Sequence, residues 1–108
     1  MKKLELINLT PHTVNLIDGD GKTFTILPSG IIPRLTEEKE SLGTINGFPV
    51  VKKSFGEVEN LPEPKEGTIY IVSALVAGAV NRDDLVVPDG LVRNDKGQII
   101  GCSGFARV

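Results

Sequence analysis

Two short polar clusters and one serine carry the side chains with which this chain could do chemistry. The first cluster, Asn8-Leu9-Thr10-Pro11-His12, holds the only histidine. The second, Asn81-Arg82-Asp83-Asp84, is the densest polar run. Between them, Ser73 stands where a strand pattern gives way to a helix pattern. The candidate ligand-binding residues are therefore Asn8, Thr10, His12, Ser73, Arg82, Asp83 and Asp84.

These residue types suit the binding of a phosphorylated ligand, although each also has a structural alternative. An arginine can hold a phosphate by two parallel hydrogen bonds, and a nearby carboxylate can accept ribose hydroxyls or orient the arginine. Free backbone N–H groups at the start of a helix attract anions, which makes Ser73 a candidate. The alternatives are a local Arg82–Asp pair in a solvated turn, a helix cap at Ser73, and a turn position for His12.

The sequence lacks the patterns of the common catalytic and metal sites. Ser73 has none of the flanking glycines of a nucleophile elbow. One histidine and one cysteine match no usual metal-ligand spacing, and glycine-rich phosphate loops are absent. No base or cation stands near Cys102 in the sequence, so we interpret it as a packing residue. We therefore expect no catalytic residue, no metal and no cofactor.

Length and charge narrow the class of protein. A chain of 108 residues predicts one domain, residues 1–108, with a core that needs neither metal nor disulfide. Twelve basic and fourteen acidic residues give a net charge of −2, so we expect neither nucleic-acid nor membrane binding. A single cysteine, with no apolar run suited to a signal peptide or a membrane span, predicts a cytoplasmic protein.

The stretch Gly67 to Asp89 is expected to organise the fold. Thr68 to Val72 has apolar residues on both faces, which predicts a strand buried on both sides. Ser73 to Val80 is expected to form a short helix. We predict an α+β domain with a mostly antiparallel sheet or a small barrel, built from seven or eight strands and this one helix. The expected core residues are Ile7, Leu9, Val14, Leu16, Phe24, Ile26, Ile69, Ile71, Leu75, Val76, Leu85 and Val87.

Outside this stretch, short strands alternate with turn signals. Asn46-Gly47 between apolar segments is the strongest hairpin signal, and Pro49 puts the returning strand at an edge or a bulge. The charged run at 36–40 is interpreted as a solvated strand edge. Residues 56–66, with two prolines, are expected to be a linker. A final hairpin is expected around Asn94 to Gly97.

Several short motifs are spread along nearly the whole chain. They are Asn8-Leu9-Thr10-Pro11-His12, Tyr70-Ile71-Val72-Ser73 with Leu75-Val76-Ala77, Arg82 with Asp84, and Gly97 with Ile100-Gly101. These motifs resemble those of a group of short proteins encoded by bacteriophages and prophages. This resemblance implies a phage setting and no particular activity, since small phage proteins are commonly virion components, regulators or proteins that counter host defence.

The leading hypothesis is a non-catalytic binding protein that sequesters a host nucleotide signal in a pocket formed with a second copy of the chain, which predicts a homo-oligomer. One alternative is a virion or assembly protein without a small ligand, in which Arg82 and Asp84 are mostly exposed and pair with each other. A second alternative is a small nucleotide hydrolase or lyase, with His12 as acid/base and Asp83 or Asp84 orienting it.

Overall fold

The computed structural model describes residues 4–108, which form eight strands and one helix. Six strands make the main sheet, in the order β1-β6-β7-β8-β2-β3, and the other two form a separate hairpin. The strand count falls within the predicted seven or eight. The elements are β1 Glu5–Asn8, β2 Val14–Ile17, β3 Thr23–Ile26, β4 Arg34–Ile45, β5 Phe48–Glu59, β6 Thr68–Ile71, α1 Ala74–Ala79, β7 Leu85–Arg93 and β8 Ile99–Ala106.

The prediction of a mostly antiparallel sheet is wrong for the main sheet, which is mixed. β6 pairs with both β1 and β7 in parallel, and β8 pairs with β2 in parallel. Only β2 with β3 and β7 with β8 are antiparallel. Within residues 4–108 the strand order has two ends, so the predicted barrel alternative is not found. The parallel pairs arise because β1 and β7 both connect to β6 through crossovers, which tight turns cannot make.

Strand β6 lies inside the sheet and is buried on both faces, as predicted. Tyr70 and Val72 point into one apolar cluster, whereas Ile71 between them belongs to a second cluster on the other face. This alternation is the two-residue period of a strand. Leu9, Val76, Ala77 and Leu85 complete the first cluster, and Val14, Val86 and Cys102 complete the second.

Helix α1 begins and ends close to the predicted limits. Ser73 is its N-cap, and the Ser73 Oγ accepts a hydrogen bond from the Val76 backbone N–H at 3.3 Å. Val76 and Ala77 are buried on its inner side. A helix of six residues has little stability of its own, so this packing against the first cluster holds it in place.

Of the twelve residues predicted for the core, ten are buried or packed against a cluster. The prediction is wrong for the other two, Phe24 and Leu75. Phe24 is 54% exposed because it lies on β3, which ends the sheet order. Leu75 is also 54% exposed, since the helix turns Val76 and Ala77 inwards instead. Cys102 is buried, which agrees with its interpretation as a packing residue.

Strands β4 and β5 form a long hairpin that we call the arm, residues 34–59. Asn46 and Gly47 make its turn with φ angles of 51° and 84°, the backbone that a two-residue hairpin turn requires. The charged run 36–40 lies on exposed strand, as predicted, whereas residues 56–59 extend β5 and are not linker. The radius of gyration is 17.4 Å. A compact chain of this length would have about 13 Å, so the arm projects from the body.

Candidate functional site

A cleft of about 590 Å³ opens beyond the carboxyl end of β6. It exists because neighbouring strands differ in length. β6 ends at Ile71, and β7 pairs with it only through Leu85 and Val86. β7 then continues to Arg93 paired with β8 alone, which leaves open space beside it. Ligands of sheets with parallel strands commonly bind at this end of the strands.

Three segments line the cleft. The loop after β1 and the start of β2 together contribute residues 10–15, and the junction between β6 and α1 contributes residues 72–74. The third wall comes from β7 and β8, with Val87, Leu91, Ile99 and Cys102 among its side chains. Thr10, His12 and Ser73 of the predicted set therefore lie around one cleft, although they are far apart in sequence.

Asn8 holds the loop that forms one rim of the cleft. Its side chain is 1% exposed, and its Nδ2 donates to the carbonyl oxygens of His12 at 2.7 Å and Ile26 at 3.1 Å. Its Oδ1 accepts from the Thr10 backbone N–H at 2.9 Å and lies 2.7 Å from the Thr10 hydroxyl. Two donors and two acceptor sites are all that an asparagine amide offers. Asn8 thus positions the rim and does not line the cleft.

The rim offers hydroxyl groups and one imidazole. The Thr10 hydroxyl lies between Asn8 Oδ1 and the His12 carbonyl oxygen, 3.0 Å from the latter. His12 is exposed, and its backbone, not its ring, ties it into the turn. Ser73 is exposed as well, with one acceptor position used by the helix cap. Ligand contacts by these three side chains remain predictions.

The floor of the cleft is apolar, and sequence reasoning did not assign its walls to a site. Among the described residues that line it, none is Lys, Arg, Asp or Glu. Val14, Val72 and Cys102 are buried, whereas Leu91 and Ile99 extend the apolar surface outwards with 63% and 54% exposure. One signal was available in the sequence. Leu91 and Val92 are adjacent in a predicted hairpin, so one of them has to face away from the core.

Arg82 and Asp84 form an ion pair outside this cleft. Arg82 Nε donates to Asp84 Oδ1 at 2.9 Å, and Nη2 donates to Oδ2 at 2.6 Å. The side chains are only 19% and 17% exposed. Hydrogen bonding to Arg82 lowers the pKa of the Asp84 carboxyl, and the same bonds raise the pKa of Arg82. This is the local pair that the sequence offered as the structural alternative.

The remaining contacts of Arg82 secure the chain that returns from the arm. Its Nη1 donates to the Pro62 carbonyl at 3.0 Å, and its guanidinium carbon lies 6.0 Å from the centre of the Tyr70 ring. The Tyr70 hydroxyl donates to the Glu63 carbonyl at 3.2 Å. Three of the five N–H donors of Arg82 are thus engaged within the protein, and Arg82 does not line the cleft.

Asp83 and the other arginines have no place in the cleft. The Asp83 side chain is exposed, and its backbone carbonyl accepts a hydrogen bond from Arg107 Nε at 3.1 Å. Arg93 Nη1 donates to the Gly97 carbonyl in the last hairpin turn. Arg34 lines a second depression, about 730 Å³, at the base of the arm, with Ile31, Ile32 and Glu59. In residues 4–108, no group of three or more His, Cys, Asp or Glu side chains could hold a metal ion.

Comparison of the chain with protein-family models, with curated proteins and with solved structures finds no match. Among the described residues, no helix is long and apolar enough to cross a membrane.

Proposed function

We propose that the protein is a non-catalytic binding protein that holds the uncharged, ring-bearing part of a small molecule in the cleft. The cleft itself is the observation that carries the proposal. Its volume of about 590 Å³ falls in the range typical of small-molecule sites. Its apolar floor suits the faces of a flat ring, and the hydroxyls of Thr10 and Ser73 can give orientation by hydrogen bonds.

A nucleoside or nucleotide is the ligand class that we favour. The base would lie on the apolar floor, while ribose hydroxyls would meet Thr10, His12 or Ser73. Because no Lys, Arg, Asp or Glu lines the cleft in residues 4–108, a phosphate would extend towards solvent or towards a second copy of the chain. In the phage setting that the sequence resemblance implies, such binding would sequester a host nucleotide signal as a counter-defence.

The geometry gives less support to the hydrolase alternative. That mechanism places Asp83 or Asp84 beside His12, yet neither aspartate is among the cleft residues that include His12. Asp84 is also committed to Arg82. The assembly alternative retains one favourable observation, the projecting arm, although the Arg82–Asp84 pair is mostly buried and not the exposed pair which that alternative predicts.

A panel of linear and cyclic nucleotides and the matching nucleosides tests this proposal. Excess protein is mixed with the panel and filtered, and the filtrate is analysed by chromatography and mass spectrometry before and after heat release. We expect one compound to disappear and to return intact. We also expect the Kd values of a nucleoside and its nucleotide to differ by less than about tenfold, because the phosphate would extend out of the cleft. A tenfold difference in Kd would correspond to about 1.4 kcal/mol of phosphate interaction. A returned compound that is chemically altered would favour the hydrolase alternative.

Matched surface variants connect binding to the cleft. Leu91→Glu places a carboxylate at the exposed rim and is expected to weaken binding at least about tenfold, because a charge then borders an apolar site. Leu27→Glu is the control, since Leu27 is 70% exposed and does not line the cleft. Equal binding by the two variants, or no depletion of any compound by the wild-type protein, would contradict the proposal.

A further inference from the structure

The arm presents two open strand edges. In residues 4–108, β4 and β5 pair only with each other. A two-stranded hairpin is marginally stable in water, and its outer N–H and C=O groups are a template for a further strand. Twelve residues per strand make an arm about 40 Å long, so each edge is much longer than a typical edge strand.

In the middle of the arm, the charges on these two edges are opposite. The middle of β4 contains Glu37, Glu38 and Glu40 with a single lysine, whereas the facing part of β5 contains Lys52 and Lys53 and no acidic residue. If these charges served only to prevent association of strand edges, acidic and basic residues could be mixed on both strands. Here the separation gives the middle of each arm one acidic and one basic edge, whereas the end of β5 nearest the body carries Glu57 and Glu59.

Among the described residues, most of these charged side chains form no ion pair. Lys53 Nζ lies 3.3 Å from Glu37 Oε1, and both side chains are exposed. Glu38, Glu40 and Lys52 form no ion pair with any other residue in the range 4–108. These three residues share one face of the hairpin, since Glu40 is opposite Lys52 and Glu38 is opposite Ser54.

We propose that the arm is a self-association element in which the β4 edge of one copy pairs with the β5 edge of a second copy. Pairing between unlike edges brings glutamates next to lysines, whereas β4 with β4 or β5 with β5 brings like charges together. Each copy then uses two different edges. The contact is therefore heterologous and builds a ring or an open chain of subunits.

Apolar side chains near the tip favour the same arrangement. Ile45, Phe48 and Val51 are 63%, 72% and 42% exposed. In a row of arms these side chains lie beside their counterparts, so apolar surface leaves water as each strand pair forms. The arm does not line the cleft, so this association can be tested without the proposed ligand.

Charge reversal of one edge at a time tests the pairing. Variant Lys52→Glu with Lys53→Glu has two acidic edges, and variant Glu38→Lys with Glu40→Lys has two basic edges. By size exclusion with light scattering, we expect the wild-type protein to give multiples of its 11.6 kDa mass, less so at high salt. Each double variant alone should give the monomer mass. An equimolar mixture of the two should associate again, since acidic edges then meet basic ones.

The fourfold variant that combines all these reversals is the control for folding of the arm. It restores opposite charges across the hairpin and between copies, so it is expected to associate like the wild-type protein. Circular dichroism of every variant checks that the fold persists. A wild-type protein that stays monomeric at all concentrations would overturn the proposal and assign the arm to another partner. Double variants that associate alone, or a mixture that stays monomeric while both are folded, would also overturn it.

Discussion

Strand β6 and the arm are both β structure, yet they are stabilised by opposite means. β6 has four residues and lies between two apolar clusters, and its Ile71 is completely buried in the second cluster. Each strand of the arm has twelve residues, nearly all exposed. β6 persists because both of its faces leave water, whereas the arm depends on its turn and on cross-strand pairs. The two regions should therefore respond differently to substitution.

The largest expected effect comes from Ile71→Ala, because it leaves a cavity in the second cluster. We expect a loss of about 2–5 kcal/mol in the free energy of unfolding, measured by chemical denaturation. Leu75→Ala is the matched control. Leu75 is 54% exposed, so its replacement should change the stability by no more than about 0.5 kcal/mol. Similar losses for the two variants would contradict the assigned burial.

Arg82→Ala should have the next largest effect, since it leaves the Asp84 carboxylate and the Pro62 carbonyl without their donor. We expect a loss of about 1–3 kcal/mol in stability. Arg93→Ala, which removes an exposed bond to the Gly97 carbonyl, should cost no more than about 0.5 kcal/mol. Neither residue lines the cleft, so ligand retention by the folded variants should match that of the wild-type protein.

The same ion pair should make stability fall in acid. Hydrogen bonds from Arg82 lower the pKa of Asp84 below its ordinary value of 3.8, so the folded state favours the ionised form. This contribution is present above the unfolded pKa and is lost as the pH falls through the lower, folded pKa. Unfolding free energies between about pH 5 and pH 2 should therefore decline less steeply in Asp84→Asn than in wild type.

Asp83→Asn is the matched control for the acid experiment. The Asp83 side chain is exposed and forms no ion pair with another residue in the described chain. This variant should keep the wild-type slope of stability against pH. If Asp83→Asn and Asp84→Asn give the same slope, the acid sensitivity does not come from the pair with Arg82.

The smallest effect is expected from Gly47→Ala in the turn of the arm. Gly47 has φ of 84°, a conformation that costs alanine about 1 kcal/mol. Amide hydrogen exchange should become about fivefold faster in the arm and stay unchanged in β6, because the arm opens by itself. Gly19→Ala, at an open position without a positive φ, should leave both regions unchanged. Faster exchange in β6 would mean that the arm and the body unfold together.

Local features of this fold could be predicted from short stretches of sequence. Asn46-Gly47 identified the arm's turn, and Ser73 identified the start of the helix, because both depend on one or two residues and their own backbone. The burial of β6 on both faces could be predicted because apolar residues occur on both faces of the strand. The Arg82–Asp84 pair was anticipated as an alternative, since its members are two residues apart.

The parallel pairing of β6 could not be predicted in the same way. A strand shows which of its faces are apolar, but not which strand lies beside it, and β1 is more than 60 residues earlier in the chain than its partner. The outward position of Leu75 depends on how α1 rotates against β6. That rotation is decided by packing of the whole cluster and not by the helix sequence alone.

The sequence by itself determined the turns, the helix cap and the buried central strand, and it singled out seven polar residues, of which only Thr10, His12 and Ser73 line the cleft. Their reasons are local: backbone angles, hydrogen bonds between near neighbours and apolar periodicity. The tertiary structure decided which strands pair, where the cleft opens and that the arm projects. These features depend on contacts between segments that are far apart in the chain. A short stretch of sequence shows neither which distant segments come together nor how long neighbouring strands are relative to each other.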